Sequence, residues 1–279
     1  MKRLLAKLVS ILLIVLAVGI AVISYSFHVE PAWIEVVEIQ ETLPRLSPDF
    51  QGFKIAQISD LHVGRLLGEA QLTSIIDLVN QQKPDLVVIT GDFVTLHPER
   101  YADTLISGLQ RLSAQQKTLS VLGNHDYWSD PIEVRRILQD GNILDLKNSV
   151  YTIQRGEGQL QIAGIDDIWS GEPDFEAVLK QLPEEGAAIL LVHEPDFADT
   201  SSATGRFDLE LSGHSHGGQI RLPLIGALWF PPYGRVYPEG RYEVGEMVHY
   251  TNRGVGMMRL RARLLCRPEI TVFTLQAPA

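Results

Sequence analysis

Apolar positions are unevenly spread along the chain. From Leu8 to Val29 there is no Asp, Glu, Lys or Arg, and the apolar run beginning at Leu8 continues to about Tyr25. A helix of about 20 residues, at about 1.5 Å rise per residue, crosses the ~30 Å hydrocarbon core of a bilayer. Lys2, Arg3 and Lys7 precede the run and Glu30, Glu35 and Glu38 follow it. The positive-inside rule then keeps the N-terminus in the cytoplasm and exports the rest. A cleaved signal peptide is the rival reading, with small-x-small sites at Ala17-Val18-Gly19 and Ser24-Tyr25-Ser26. Its apolar core is usually shorter, about 7–15 residues. A buried core helix is the third. The expectation is a transmembrane signal-anchor with its cytoplasmic tip over 1–29, a juxtamembrane linker over 30–50 marked by Pro31, Pro44 and Pro48, and a folded domain over 51–279.

Beyond the linker, which has room for a strand around Ile34–Ile39, the pattern becomes regular. Phe53–Ile58 reads as a strand and Glu69–Gln81 as an amphipathic helix. Asp85–Ile89 is a short continuous apolar run, as expected of a strand covered on both faces. A helix near Glu99–Leu112, a strand at Thr118–Leu122 and a helix opened by Ser129-Asp130-Pro131 complete a βαβ series. The second half is richer in strands: Val150–Gln154, Leu160–Ile165, Ala187–Val192, Asp208–Leu211, Met247–Thr251 and Ile270–Leu275, with one helix at Asp174–Leu182. Two sheets packed face to face with helices outside would accommodate this order.

Composition narrows the chemistry. The 279 residues carry 34 acidic and 24 basic side chains, a net −10. That balance disfavours nucleic acid as a partner, since backbone phosphates are bound by a surplus of Lys and Arg. Cys266 is the single cysteine, which excludes an internal disulfide and any multi-thiolate metal site. A bound metal must be held by oxygen and imidazole.

The candidate ligands sit just after predicted strands: Asp60-Leu61-His62, Gly91-Asp92, Gly123-Asn124-His125-Asp126, His193-Glu194 and Gly213-His214-Ser215-His216-Gly217-Gly218. Ligands of open α/β sheets bind beyond the carboxyl ends of strands, so these loops can converge. Each motif alone is weak: Asp-x-His also caps turns, and a lone histidine is usually a hydrogen-bonded packing residue. Together they hold five of the eight histidines. Carboxylate, imidazole and one amide oxygen suit Mn, Fe or Zn. A carboxylate such as Asp92 can bridge two cations. Two divalent ions about 3.5–4 Å apart can hold a bridging hydroxide and clamp a phosphoryl group for in-line attack. A histidine outside the ligand set can protonate the leaving alkoxide.

These motifs resemble the five-motif signature of the calcineurin-like metallophosphoesterases over roughly residues 53–221. The wording around them, such as Ile58-Ser59-Asp60-Leu61-His62, Gly217-Gly218-Gln219-Ile220-Arg221-Leu222-Pro223 and Arg267-Pro268-Glu269-Ile270, is similar to a bacterial subgroup of membrane-attached or exported phosphoesterases. The resemblance implies an α/β fold, a four-layer αββα sandwich, with a site for two divalent metal ions. One would take Asp60, His62 and His216, the other Asn124, His193 and His214, with Asp92 bridging. His125 would be the acid and Asp126 its support. The implied function is a metal-dependent hydrolase of phosphodiester, pyrophosphate or phosphomonoester bonds; the N-terminal apolar run and its basic flank add the expectation of a single-pass inner-membrane protein with its catalytic domain on the periplasmic side. A phosphorylated small molecule or lipid-linked phosphate would be the substrate. Alternatives are a hydrolase of the UDP-2,3-diacylglucosamine type, whose substrate lies on the cytoplasmic side, a single-metal esterase and a non-catalytic metal-binding scaffold.

Other features carry less. Gly164-Ile165-Asp166-Asp167 reads as a turn, and His28, His97 and His249 as surface or packing histidines. Arg259, Arg261 and Arg263 alternate with Leu260, Ala262 and Leu264, as on a strand with one polar face that could meet phosphate or anionic headgroups. The apolar run Leu222–Tyr233 is either a loop folded back on the sheet or an apolar wall beside the metals, resting at the bilayer.

Overall fold

A computed structural model describes residues 2–278. The N-terminal helix α1 (Lys2–His28) stands clear of the folded body, with residues 2–24 all exposed. It is apolar and long enough to cross a membrane. The chain then forms β1 (Glu35–Thr42), β2 (Lys54–Ile58), α2 (Glu69–Gln81), β3 (Leu86–Thr90), α3 (Pro98–Leu109), β4 (Thr118–Val121), α4 (Asn124–Ser129), α5 (Pro131–Asp140) and β5 (Ile143–Asp145). The second half supplies β6 (Ser149–Arg155), β7 (Gly158–Gly164), α6 (Phe175–Gln181), β8 (Ala187–Leu191), α7 (Ala198–Ser202) and β9 (Leu209–Ser212). A hairpin of β10 (Arg221–Leu222) and β11 (Gly226–Ala227) follows, then β12 (Gly240–Val244), β13 (Met247–Thr251) and β14 (Glu269–Gln276).

Two six-stranded sheets result, in the orders β1-β14-β2-β3-β4-β5 and β12-β13-β9-β8-β7-β6. Strands β2 to β5 run parallel, joined by helical crossovers, and β7, β8, β9 and β13 run parallel in the other sheet. The two-residue period of a strand sorts side chains between layers. In β3, Leu86 and Val88 enter the inter-sheet core while Val87 and Ile89 meet α2, α3 and α5. In β8, Ile189 and Leu191 point inward, and Ala188 and Leu190 outward toward Val178 of α6. Every strand position here is covered on both faces, which is why these runs are continuously apolar. The architecture is the expected αββα sandwich.

Differences from the pattern have local causes. The segment 30–50, read as a linker, enters the fold: β1 pairs in parallel with β14, and Leu43, Leu46 and Phe50 are buried between the sheets. Its prolines mark turns of the packed chain; Pro48 opens a short 3-10 turn capped by the Ser47 side chain. Strands β5 and β12 and the short helices α4 and α7 carried too few periodic residues to register. Residues 259–264, read as a strand with an arginine face, lie in an irregular loop that spans 257–265.

Candidate metal centre

The carboxyl ends of β2, β3, β4, β8 and β9 open on one side of the sandwich, and the five motifs meet there. Asp60, His62, Asp92, His214 and His216 all have left-handed backbones, with φ between 47° and 69°. Such conformations cost about 1–3 kcal/mol each and are kept where the surrounding structure holds them. They turn each side chain sharply off its strand end. Gly91 and Gly123 let the loops close: a Cβ on Gly91 would lie 2.5 Å from His193 Nδ1, and one on Gly123 2.7 Å from His193 Nε2.

Hydrogen bonds decide which imidazole nitrogen faces inward. His193 Nδ1 donates to the Thr90 carbonyl at 2.7 Å, and His214 Nε2 to the Pro232 carbonyl at 2.8 Å. That leaves His193 Nε2 and His214 Nδ1 as the free donor atoms, 3.2 Å apart. On the other side, His62 Nδ1 contacts Thr95 Oγ1 at 3.2 Å, so its Nε2 faces His216 Nε2 at 3.1 Å. Asp92 Oδ2 lies between the pairs, 3.4 Å from His62 Nε2 and 3.3 Å from His193 Nε2. Asp60 Oδ1 lies 3.3 Å from His216 Nε2. The Asn124 amide oxygen is buried and has no hydrogen-bond partner among the described residues.

This donor set fits two cations. Two nitrogens at about 2.0–2.1 Å from one tetrahedral ion are about 3.3 Å apart, close to both imidazole pairs. Burial holds His62 and His214 down at about 3 and His216 well below the usual histidine range, so their rings are neutral with lone pairs available. Burial depresses His193 too, but the charge of Asp92, reinforced by Asp60 and Glu194, lifts it well above normal. Burial pushes Asp60 up to about 6 despite the pull of His193, with the Asp92 charge adding to the push. Asp92 is driven the other way: His193 and His125 outweigh its burial and keep it ionised. Asp60, His62 and His216, and Asp60, Asp92 and His193, each bring ligand atoms close enough together to hold a cation, and the two groups share Asp60.

The sequence profile of the calcineurin-like phosphoesterases matches residues 53–218. The chain belongs to this family. It is 40% identical to the uncharacterized metallophosphoesterase YkuE of Bacillus subtilis, over 91% of this chain and 89% of that protein. It is 32% identical to the phosphodiesterase YaeI of Escherichia coli, over 90% and 92%. A transmembrane protein with metallophosphoesterase domain from Danio rerio is 30% identical over 87% of this chain and 57% of its own length. Among solved structures, sulfate thiohydrolase SoxB of Thermus thermophilus shares the fold at a TM-score of 0.53 and 13% identity, covering 82% of this chain and 57% of that one. The chain is a metal-dependent phosphoester hydrolase.

The remaining residues of this phosphoesterase site frame the centre. Asp126, at 0% exposure, accepts from the Phe93 and Val94 N–H groups at 2.9 and 3.2 Å and from Gly123 N–H at 3.0 Å, tying the loop after β4 to that after β3. The His125 N–H donates to Asp92 Oδ1 at 2.9 Å. The His125 ring sets Nδ1 3.4 Å from the Thr95 carbonyl, while Nε2 is buried and without a partner among the described residues. Over these residues lies a cavity of about 330 Å³ bounded by Trp128, Trp169, Trp229, Leu228, Met258 and Leu260.

Several contributors left no mark in the motifs. Thr90, Thr95 and Pro232 set imidazole orientations through single oxygens, which no residue pattern announces. Glu194 did have a signal, being next to His193. Its carboxylate accepts from the Ile168 and Trp169 N–H groups at 3.1 and 3.4 Å, drawing the loop after β7 over the cavity. Asp166, read as part of a turn, accepts from the Tyr127 hydroxyl and pairs with Arg135 at 3.3 Å. Arg263 is fully buried, and its guanidinium donates to the carbonyls of Arg253, Gly254 and Gly256 at 2.9, 2.9 and 2.7 Å. The Gly256 N–H in turn donates to the Asp60 carbonyl at 2.8 Å. Of the three histidines outside the site, His28 and His97 stay peripheral, and His249 packs in the interior 3.0 Å from Glu210.

Proposed function

We propose that the chain is a membrane-anchored phosphoesterase that uses two divalent cations, Mn, Fe or Zn, to hydrolyse a phosphodiester, pyrophosphate or phosphomonoester bond in a lipid-linked substrate. The observation that carries this reading is the placement of Asp92 Oδ2 between two imidazole pairs at the floor of an apolar cavity. Asp60, His62 and His216 would hold one cation, and Asn124, His193 and His214 the other, with Asp92 shared. When bound, the pair supplies Lewis acidity and lowers the pKa of the attacking water. The protein's own groups do the rest. Thr90, Thr95 and Pro232 keep the imidazoles in one tautomer. His125, with Nδ1 turned to the Thr95 carbonyl and Nε2 free, gives a proton to the leaving oxygen. The tryptophans and leucines of the cavity keep water out and accept the apolar part of the substrate.

The apolar α1 supports an anchor, and the Lys2, Arg3 and Lys7 flank supports export of the domain to the outer face of the inner membrane. The deciding experiment loads the full chain with Mn, Fe or Zn and compares monoesters, diesters, nucleotide sugars and lipid pyrophosphates, with the metal content counted. Turnover of a lipid-linked phosphate with two ions per chain is the expected result. Full activity with one ion would remove the bridged pair, and a preference for soluble esters would remove the lipid substrate. A C-terminal reporter active only in the cytoplasm would reverse the orientation and restore the UDP-diacylglucosamine alternative.

A further inference from the structure

The apolar run after His216 turns outward instead of folding back on the sheet. In the hairpin of β10 and β11, Leu224 at the tip is fully exposed and Ile225 is 71% exposed. Beside them Leu228 and Trp229 are also exposed, as are Leu260 and Leu265 in the irregular loop 257–265. The two segments are one surface. Arg221 N–H donates to the Leu264 carbonyl at 2.8 Å, Leu264 N–H to the Gln219 carbonyl at 3.1 Å, and the Gln219 amide to the Met258 and Leu260 carbonyls. The Arg259 guanidinium lies 5.0 Å from the centre of the Trp229 ring.

The same loop is fastened to the end of α1. Arg263 N–H donates to the Ser26 carbonyl at 2.9 Å, and Cys266 N–H donates to the carboxylate of the buried Glu30. The apolar hairpin is therefore continuous, through loop 257–265, with the C-terminal end of the apolar helix. Arg259 and Arg261 are exposed on this surface and have no acidic partner among the described residues. Exposed leucines backed by a tryptophan and flanked by free arginines match the boundary of a bilayer, apolar below and anionic at the headgroups.

We propose that the hairpin tip at Leu224 and Ile225, together with Leu260 and Leu265, inserts into the bilayer boundary beside α1, with Arg259 and Arg261 at the level of anionic headgroups. This rests on the reading of α1 as membrane-spanning. A tether alone leaves the domain free to rotate, whereas a second contact fixes its orientation. Leu228, Trp229, Arg259 and Leu260 also border the cavity over the metal centre. Its mouth then faces the lipid, and an amphiphilic phosphate reaches the centre without leaving the membrane.

The test uses the full chain with Leu224→Cys carrying an environment-sensitive fluorophore, in vesicles of phosphatidylcholine and phosphatidylglycerol with brominated acyl chains. Cys266 is buried, so the added thiol takes the label. A second preparation carries the label at Leu16→Cys within α1. Quenching of both labels is the expected result. Quenching at 16 without quenching at 224 overturns the docking surface and leaves the anchor standing. Quenching at 224 alone removes the membrane-spanning reading of α1 and with it the placement of this surface beside α1, which overturns the proposal, and quenching at neither removes both. A blue-shifted but unquenched label at 224 overturns the proposal in favour of a protein partner, such as a second copy. In the same vesicles, Leu224→Glu with Ile225→Glu should lower turnover of an amphiphilic phosphate ester about tenfold or more. Hydrolysis of a soluble aryl phosphodiester should stay within about twofold of wild type, because neither residue borders the cavity. Equal effects on both substrates, or none on the amphiphile, would contradict it.

Discussion

Two residues at this site sit side by side and do different work. Asp92 offers Oδ2 to both halves of the donor set while Oδ1 accepts from His125 N–H, so its removal would open both halves at once. His125 touches no other imidazole by hydrogen bond and keeps Nε2 free. Asp92→Ala should therefore lose both metals and all measurable turnover. His125→Ala should keep two ions per chain and lose about 10²–10⁴ in kcat on a substrate with a poor leaving group, with a smaller loss on a good one. Metal analysis beside the two rates checks this, and a fully active His125→Ala on the poor leaving group would end its role as acid. All nine expected site residues lie in this one cluster, because a histidine or carboxylate at a strand end is visible as a letter. The oxygens of Thr90, Thr95 and Pro232 were not, since main-chain carbonyls and common hydroxyls look the same wherever they occur.

At the scale of elements, the loop after β13 shows how a plausible pattern misleads. Alternation of Arg259, Arg261 and Arg263 with apolar neighbours has the period of a strand, but among the described residues the segment has no strand partner beyond the bridge from Leu264 to Ile220. Its arginines separate instead: Arg259 and Arg261 face out, and Arg263 goes fully inside. There it gathers the carbonyls of residues 253, 254 and 256 and, at 3.2 Å, that of Cys266. Replacing it by methionine keeps the volume and leaves these acceptors without a donor. Arg263→Met should cost about 3–5 kcal/mol of stability, the scale for buried hydrogen-bonded charge. Thermal unfolding of the variant is the check, and a Tm within a degree of wild type would show the guanidinium to be dispensable. Strands β2, β3 and β4 and helices α2, α3 and α5 were legible because each carries a full period of buried positions. Segments as short as β5, or pinned by side chains far away in sequence, do not.

For the whole molecule, charge and architecture pull in different directions. Residues 1–29 hold three of the 24 basic and none of the 34 acidic side chains, which leaves 21 against 34, a net −13, on the rest. Such a surface repels anionic phosphates at long range, and only the local positive charge of bound cations opposes it. Raising ionic strength from about 10 to 150 mM shortens the Debye length from about 30 to 8 Å and should raise kcat/KM for a soluble anionic ester about twofold. A fall with salt would mean that a basic surface steers the substrate.

The sequence by itself determined the anchor-length apolar helix, the βαβ series and the identity of the ligand letters, because these depend on composition and on periods of two and 3.6 residues. Tertiary structure alone decided which nitrogen of each histidine faces inward and where the cavity opens. It also decided that residues 35–50 belong to the sandwich and that loop 257–265 joins the helix end to the site. Those outcomes depend on contacts between segments distant in the chain, such as Cys266 with Glu30 and His214 with Pro232, and no local pattern encodes the distance between them.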